Sequence, residues 1–233
     1  GRSVVGPGLR ALGVDRLDVV VASHADLDHR GGLRHILMHF DVGEVWLPDT
    51  RWGGSGFRDL RDLAEELGIP VRELGAEDSS LGVGDLFFEP LWPPADSLVG
   101  STNENSLVLR ARIAGRHILL TGDIGASAEQ VLLDRGVPLQ SDVLKVAHHG
   151  SAHSSTEGFL QAVGARFFLV SASCSGFSGL PSEEAFMRLK GFGGVMGWTG
   201  RDGALVLEFP AEDGARLRAW SDPRACPLGE GRS

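Results

Sequence analysis

A chain of 233 residues, 42% hydrophobic and 23% charged, is long enough for one large α/β domain and has none of the bias of a disordered or fibrous protein. Its net charge of −9 at pH 7 argues against a broad basic face for nucleic acid, although bound divalent ions can supply positive charge locally. No stretch approaches the roughly 20 apolar residues of a membrane span, and the 33 glycines announce many tight turns.

In chain order, Gly1–Val14 carries a Pro7-Gly8 turn and a short helical patch at Leu9–Leu12. Val19–Ala22 is an apolar, β-branched run that reads as a buried strand. Leu33–Phe40 has helical spacing, and Val42–Leu47 reads as the next strand. A Gly-rich loop over Pro48–Gly56 follows, with Trp46 and Trp52 as exposed tryptophans, then a helix over Phe57–Leu67 that stops at Gly68. Strands are predicted at Val71–Leu74 and Leu86–Leu91. Ser106–Ile113 and His117–Leu120 are predicted to form a hairpin through Ala114-Gly115. A helix over Ser127–Asp134, a strand over Val143–Ala147, a helix over Thr156–Val163 and a strand over Arg166–Ser171 alternate after that. Ser182 opens a helix to Leu189, and Ala204–Phe209 with Arg216–Trp220 forms a closing hairpin within a 210–233 tail. Alternation in the middle with hairpins around it predicts a mixed-sheet α/β sandwich in a single domain over 1–233.

Three predicted strands end in metal-ligand side chains. They are His24, Asp26, Asp28 and His29 after the first, Asp123 after the hairpin, and His148 and His149 after Val143–Ala147. A core has no use for such groups, since burying charge is expensive unless it is paired or metal-bound. Side chains placed after buried strands belong at one sheet edge, where α/β proteins keep their sites. Imidazole with carboxylate suits zinc, manganese or iron, and the three carboxylates move the preference towards manganese. Cys174 and Cys226 fit no CxxC pattern, which leaves a disulfide and two separate thiols as open alternatives.

His24-Ala-Asp26-Leu-Asp28-His29 resembles the HxHxDH motif of the metallo-β-lactamase superfamily, with Asp in place of the second His. Asn103-Glu-Asn105-Ser106, Leu119-Leu-Thr-Gly-Asp123, Val143-Leu-Lys-Val-Ala-His148-His149-Gly-Ser151 and Gly200-Arg-Asp-Gly203 follow in the order seen in ComEC-type competence proteins. The likeness runs from about Leu9 to Phe209. It implies an αββα sandwich whose opening strands are missing from this sequence, and one or two divalent ions, manganese or zinc. It also implies that this is the soluble extracytoplasmic domain of a larger inner-membrane DNA-uptake protein. Its partners would be a DNA substrate, of which it hydrolyses the strand that does not enter the cell, and the transmembrane channel of the same full-length protein.

Carried over by position, His24, Asp26, Asp28, His29, Asp123 and His148 are the metal ligands, with His148 preferred over His149 and Asp123 bridging two ions. Asp28 also orients or deprotonates the attacking water. His153 is the candidate general acid. Asn105, His149, Ser151, Ser154 and Ser155 are candidate substrate contacts, and Arg30 and Arg51 are candidate phosphate contacts. Where the superfamily has further histidines, this chain has Asn103, Asn105 and Ser106 in one place and Leu180 in another. That departure motivates two alternatives, a small-ester or phosphodiester hydrolase and a non-catalytic binding domain. His35 and His39, at i and i+4, read as surface histidines, and Lys145 as a strand residue pointing outward.

Overall fold

The computed structural model describes residues 1–49, 54–96, 100–173, 179–210 and 216–220. Its elements fall into two compact units, Gly1–Leu109 and Arg110–Ser233. Both mix helices with strands, as the sequence pattern predicts.

The first unit opens with α1 (Val5–Ala11) and β1 (Arg16–Val21), followed by the short α2 (Leu27–Arg30) and α3 (Leu33–His39). Next come β2 (Asp41–Pro48), a 3-10 turn at Gly54–Phe57 and α4 (Arg58–Glu66). Strands β3 (Val71–Leu74), β4 (Leu81–Val83) and β5 (Leu86–Trp92) complete it, with β6 (Val108–Ile113) beginning at its end. β1, β2 and β3 form a parallel sheet in that order, with Val20 opposite Val45 and Val45 opposite Val71. β4 and β5 are an antiparallel hairpin turning at Gly84. The core of this unit gathers Val20, Ile36, Leu37, Phe40, Val45, Leu47, Leu60 and Leu63, which are the apolar positions of α3, α4 and the two strands beneath them. Burying one such side chain stabilises by about 1.5–3 kcal/mol relative to leaving it exposed.

The sequence placed Trp46 on the surface, but it is 1% exposed. Its indole N–H donates to Glu44 Oε2 at 2.7 Å and its ring meets Phe88 edge-on at 5.3 Å. The ring is large and apolar, and its one polar atom has found a carboxylate, so burial costs no hydrogen bond. Trp52, Arg51, Cys174 and Cys226 lie outside the described residues.

In the second unit β6 turns into β7 (Arg116–Leu120) through Ala114 and Gly115, both with positive φ, which is the twist a two-residue hairpin needs. Then come α5 (Ala126–Asp134), β8 (Val143–Lys145), α6 (Glu157–Val163), β9 (Phe167–Val170), α7 (Glu183–Gly191), β10 (Val195–Trp198) and α8 (Thr199–Asp202). The hairpin β11 (Ala204–Glu208) and β12 (Arg216–Trp220) closes the series, as expected. β7, β8, β9 and β10 are neighbours in that order and parallel throughout. Val143, Leu144, Phe168 and Val170 are buried, as are Phe159, Leu160 and Leu189 from the helices. Strands β4 and β10 are absent from the sequence reading. β4 is three residues long and β10 follows Gly193-Gly194, so neither carries a run that stands out.

Because β7 and β8 are adjacent and parallel, the residues that follow them emerge at one edge, which meets the expectation for Asp123 and His148-His149. β1 does not share that sheet. It pairs with β2 in the separate three-stranded sheet, so the expectation that all three ligand groups end strands of one sheet is corrected.

Candidate metal-binding turns

In the first unit the chain leaves β1 at Ala22, passes Ser23 and His24, and enters α2 with Asp26 at its N-cap. His24 is buried, His29 is half-buried, and Asp26 and Asp28 are exposed. One hydroxyl organises both imidazoles: Ser23 Oγ lies 3.2 Å from His24 Nδ1 and 3.3 Å from His29 Nδ1. The rings sit with centroids 4.1 Å apart. A serine oxygen has two acceptor lone pairs, so both Nδ1–H groups can donate to it, and that tautomer leaves both Nε2 atoms as ligand atoms. Each Nε2 is 3.9 Å from a carboxylate oxygen, His24 from Asp26 and His29 from Asp28. Fixing a ligand imidazole through its other nitrogen is the usual support of a metal site.

The turn is braced from behind. Arg30 Nε donates to the Ala25 carbonyl at 2.6 Å, and its guanidinium pairs with Asp59 at 2.8–2.9 Å. Arg30 is a candidate phosphate contact in the sequence, and in the structure its Nε and Nη1 hold this loop to α4. The Leu107 N–H donates to the Ser23 carbonyl at 2.7 Å, which ties the Asn103–Leu107 motif to the same turn. Asn105, a candidate substrate contact, donates its side-chain amide to the Ser101 carbonyl at 2.9 Å, and Ser106 Oγ donates to the Asn103 carbonyl at 2.7 Å.

In the second unit Asp123 follows β7 and is 2% exposed. Its Oδ2 lies 3.1 Å from His149 Nε2, and its Oδ1 lies 3.3 Å from Lys145 Nζ. His149 is oriented through its other nitrogen, with Nδ1 2.6 Å from the Ser171 carbonyl. The hydrogen bond to Asp123 raises the His149 imidazole above its ordinary range, against burial, which works the other way. The sequence reading preferred His148 to His149, but it is His149 whose ring meets Asp123. Lys145 was expected to point outward. Its stem instead folds along the edge so that Nζ donates to the Gly122 carbonyl at 2.7 Å as well as reaching Asp123.

His148, His149 and Gly150 all take left-handed conformations, with φ of 49, 55 and 83°. Such φ values cost energy in non-glycine residues and concentrate at functional sites. At Gly150 only glycine fits, because an added Cβ would come within 2.7 Å of Pro181 Cβ. The surroundings hold this shape firmly. The Glu129 carboxylate, fully buried on α5, accepts the N–H groups of Ser155 and Thr156 at 2.5 and 2.8 Å. Ser154 Oγ donates to the Ala147 carbonyl at 3.0 Å, and Arg188 donates to the carbonyls of Ser154 and Ser155. Ser151, Ser154 and Ser155 were candidate substrate contacts. Ser154 and Ser155 have no exposed surface and Ser151 is 8% exposed, so their positions are those of groups that shape the turn. His153 is exposed, and its N–H lies 3.3 Å from Ser151 Oγ. His35 and His39 stack with centroids 4.0 Å apart, and His39 Nδ1 is satisfied by the His35 carbonyl.

The donor chemistry in both units fits a borderline divalent ion, because imidazoles tethered at Nδ1 stand beside carboxylates. The chain belongs to the metallo-β-lactamase superfamily, whose model matches residues 2–166. That is a superfamily of metal-dependent hydrolases. Among particular proteins, it is 34% identical over 172 residues to ComE operon protein 3 of Bacillus subtilis, covering 74% of this chain and 22% of that protein. It is 32% identical over 202 residues to competence protein ComA of Neisseria gonorrhoeae, covering 85% of this chain and 26% of that one. The chain therefore spans only a minor part of the length of these relatives. In fold it is similar to CmlA, described as a diiron β-hydroxylase from Streptomyces venezuelae, with a TM-score of 0.50 at 16% identity over 78% of this chain and 43% of that one. No described helix is long and apolar enough to cross a membrane.

Proposed function

We propose that the chain is a metal-dependent phosphodiesterase acting on DNA. In this reading it is the extracytoplasmic part of a longer DNA-uptake protein, whose transmembrane channel takes in one strand while this part degrades the other. The observation that carries it is the pair of histidine-bearing turns, each with an imidazole tethered at Nδ1 beside a carboxylate. Similarity to a protein named for competence supports DNA as the substrate class in this reading.

The candidate ligands in this reading are Asp28 and His29 on the first turn, supported by His24 and Asp26, and Asp123 and His149 on the second. Manganese or zinc, when bound, supplies positive charge for the phosphate oxygens and lowers the pKa of a water. Asp28, exposed on α2, would orient a water for attack and accept its proton. His153, exposed after the second turn, would give a proton to the departing deoxyribose oxygen. Ser23 and Ser171 fix the tautomers that make the imidazoles acceptors of a cation. The strained His148–Gly150 backbone keeps His149 aimed at Asp123 without rearrangement.

The test is cleavage of single-stranded DNA by the purified chain with manganese, run beside a small phosphodiester. Asp28→Ala is expected to lower DNA cleavage by about 10²–10⁴-fold, the span of a lost general base. The thermal midpoint should stay in place because the side chain is exposed. Retained cleavage by that variant, or faster turnover of the small ester than of DNA by the unmodified chain, overturns the reading.

A further inference from the structure

Lys145 is a charged group at the second turn that neither the ligand set nor the proposed mechanism uses. Its placement follows from the β7–β8 register. Lys145 stands opposite Leu120, and Thr121 Oγ1 donates to the Lys145 carbonyl at 2.7 Å, which fixes the backbone where the side chain starts. From there the ammonium reaches Gly122, whose φ of 53° sets the direction of its carbonyl, and donates to that oxygen at 2.7 Å. The same Nζ is 3.3 Å from Asp123 Oδ1 while His149 Nε2 is 3.1 Å from Oδ2. The two oxygens of this buried carboxylate therefore face different partners, an imidazole on one side and a fixed cation on the other.

From this we infer that Lys145 stands in for a second metal ion, so that the site takes one divalent ion per chain, held through the Oδ2 side of Asp123. The inference rests on the proposed metal site and concerns its stoichiometry. A carboxylate bridges two cations only when each oxygen faces one of them. At Oδ1 the charge of a cation is already present, covalently attached and anchored to the backbone. An ion bound through Oδ1 would be pressed against the ammonium, and the repulsion between close like charges in a partly buried site is large. Lysine also differs from a metal in what it contributes: it neutralises Asp123 and offers hydrogen bonds, but it binds no water to activate.

The experiment is manganese titration of the whole chain, read by calorimetry and by electron paramagnetic resonance, which separates isolated ions from coupled pairs. The unmodified chain is expected to bind one ion and to show the spectrum of an isolated ion. Lys145→Met removes the charge, and Lys145→Gln removes it while keeping a donor for the Gly122 carbonyl, so a folding failure in the first leaves the second to decide. Either folded variant should gain a second, coupled ion or bind its ion at least about tenfold tighter, as loss of a nearby like charge requires. Two ions in the unmodified chain, or one ion with both variants unchanged in number and affinity, overturns the inference while leaving the nuclease reading in place. No bound ion at all overturns both.

Discussion

The two histidine-bearing turns carry similar donor groups on opposite construction. After β1, Asp26 and Asp28 are exposed, the four-residue α2 has no side-chain cap, and a single hydroxyl holds both imidazoles. After β8, the turn is buried, its backbone is forced into left-handed φ, and Glu129, Ser154 and Arg188 satisfy its polar groups. The second turn is built before any ligand arrives. The first has its rings set but its carboxylates in solvent, so binding must order them. In the proposed reading, one turn spends folding energy on geometry, and the other leaves part of that cost to an ion when it binds.

The comparison is broken most severely at Glu129. Glu129→Ala leaves the N–H groups of Ser155 and Thr156 without their acceptor in a buried place and is expected to cost about 3–5 kcal/mol, as removal of a buried charged partner does. Thermal or urea unfolding measures it, and a loss below about 1 kcal/mol, the worth of one ordinary hydrogen bond, would show that the second turn is not prebuilt. A smaller effect is expected at Ser23. Ser23→Ala removes the shared tether and should weaken metal binding by about 10–100-fold, the usual result of losing outer support, with little change in unfolding. Calorimetric titration reads the affinity, and an unchanged value would mean that the imidazoles do not need Ser23.

The smallest effect sharpens the contrast from a control position away from both turns. At Asp142 burial acts to raise the carboxyl, but the His117 N–H and the Arg116 guanidinium outweigh it, so the group stays below its ordinary range. A depressed carboxyl stabilises the fold above its unfolded value of 3.8, and that contribution disappears as pH falls through the folded value. Asp142→Asn should therefore lower stability at neutral pH by about 1 kcal/mol or less, since solvent screens the pair, and should flatten the acid limb of the stability curve. Identical acid limbs for the two proteins would contradict it.

Much of this was readable without coordinates. The valine run of β1, the hairpin through Ala114-Gly115 and the Ser182 cap are local signals, and the structure has each of them close to the predicted place. The positions of the histidine-bearing turns were readable too, because each follows a predicted strand. What was hidden depends on partners distant in sequence. Trp46 is buried because Glu44 meets its N–H and Phe88 its ring. Arg30 is occupied because α4 brings Asp59 to it. Neighbouring histidines cannot be told apart by composition, and the His149 ring that meets Asp123 is oriented by the Ser171 carbonyl, a partner distant in sequence. Glu129 reads as an ordinary acidic residue of a surface helix, and its burial beneath Ser155 and Thr156 follows only from the packing of α5 and α6.

The Thr121–Lys145 cross-link has a mechanical consequence. Thr121 grips the Lys145 backbone while the Lys145 side chain grips Gly122 and Asp123, so the ends of β7 and β8 are laced together in both directions. A pull on either end is transmitted to the other without stretching a loop. A load applied at this edge would therefore be shared by two strands of a parallel sheet at once.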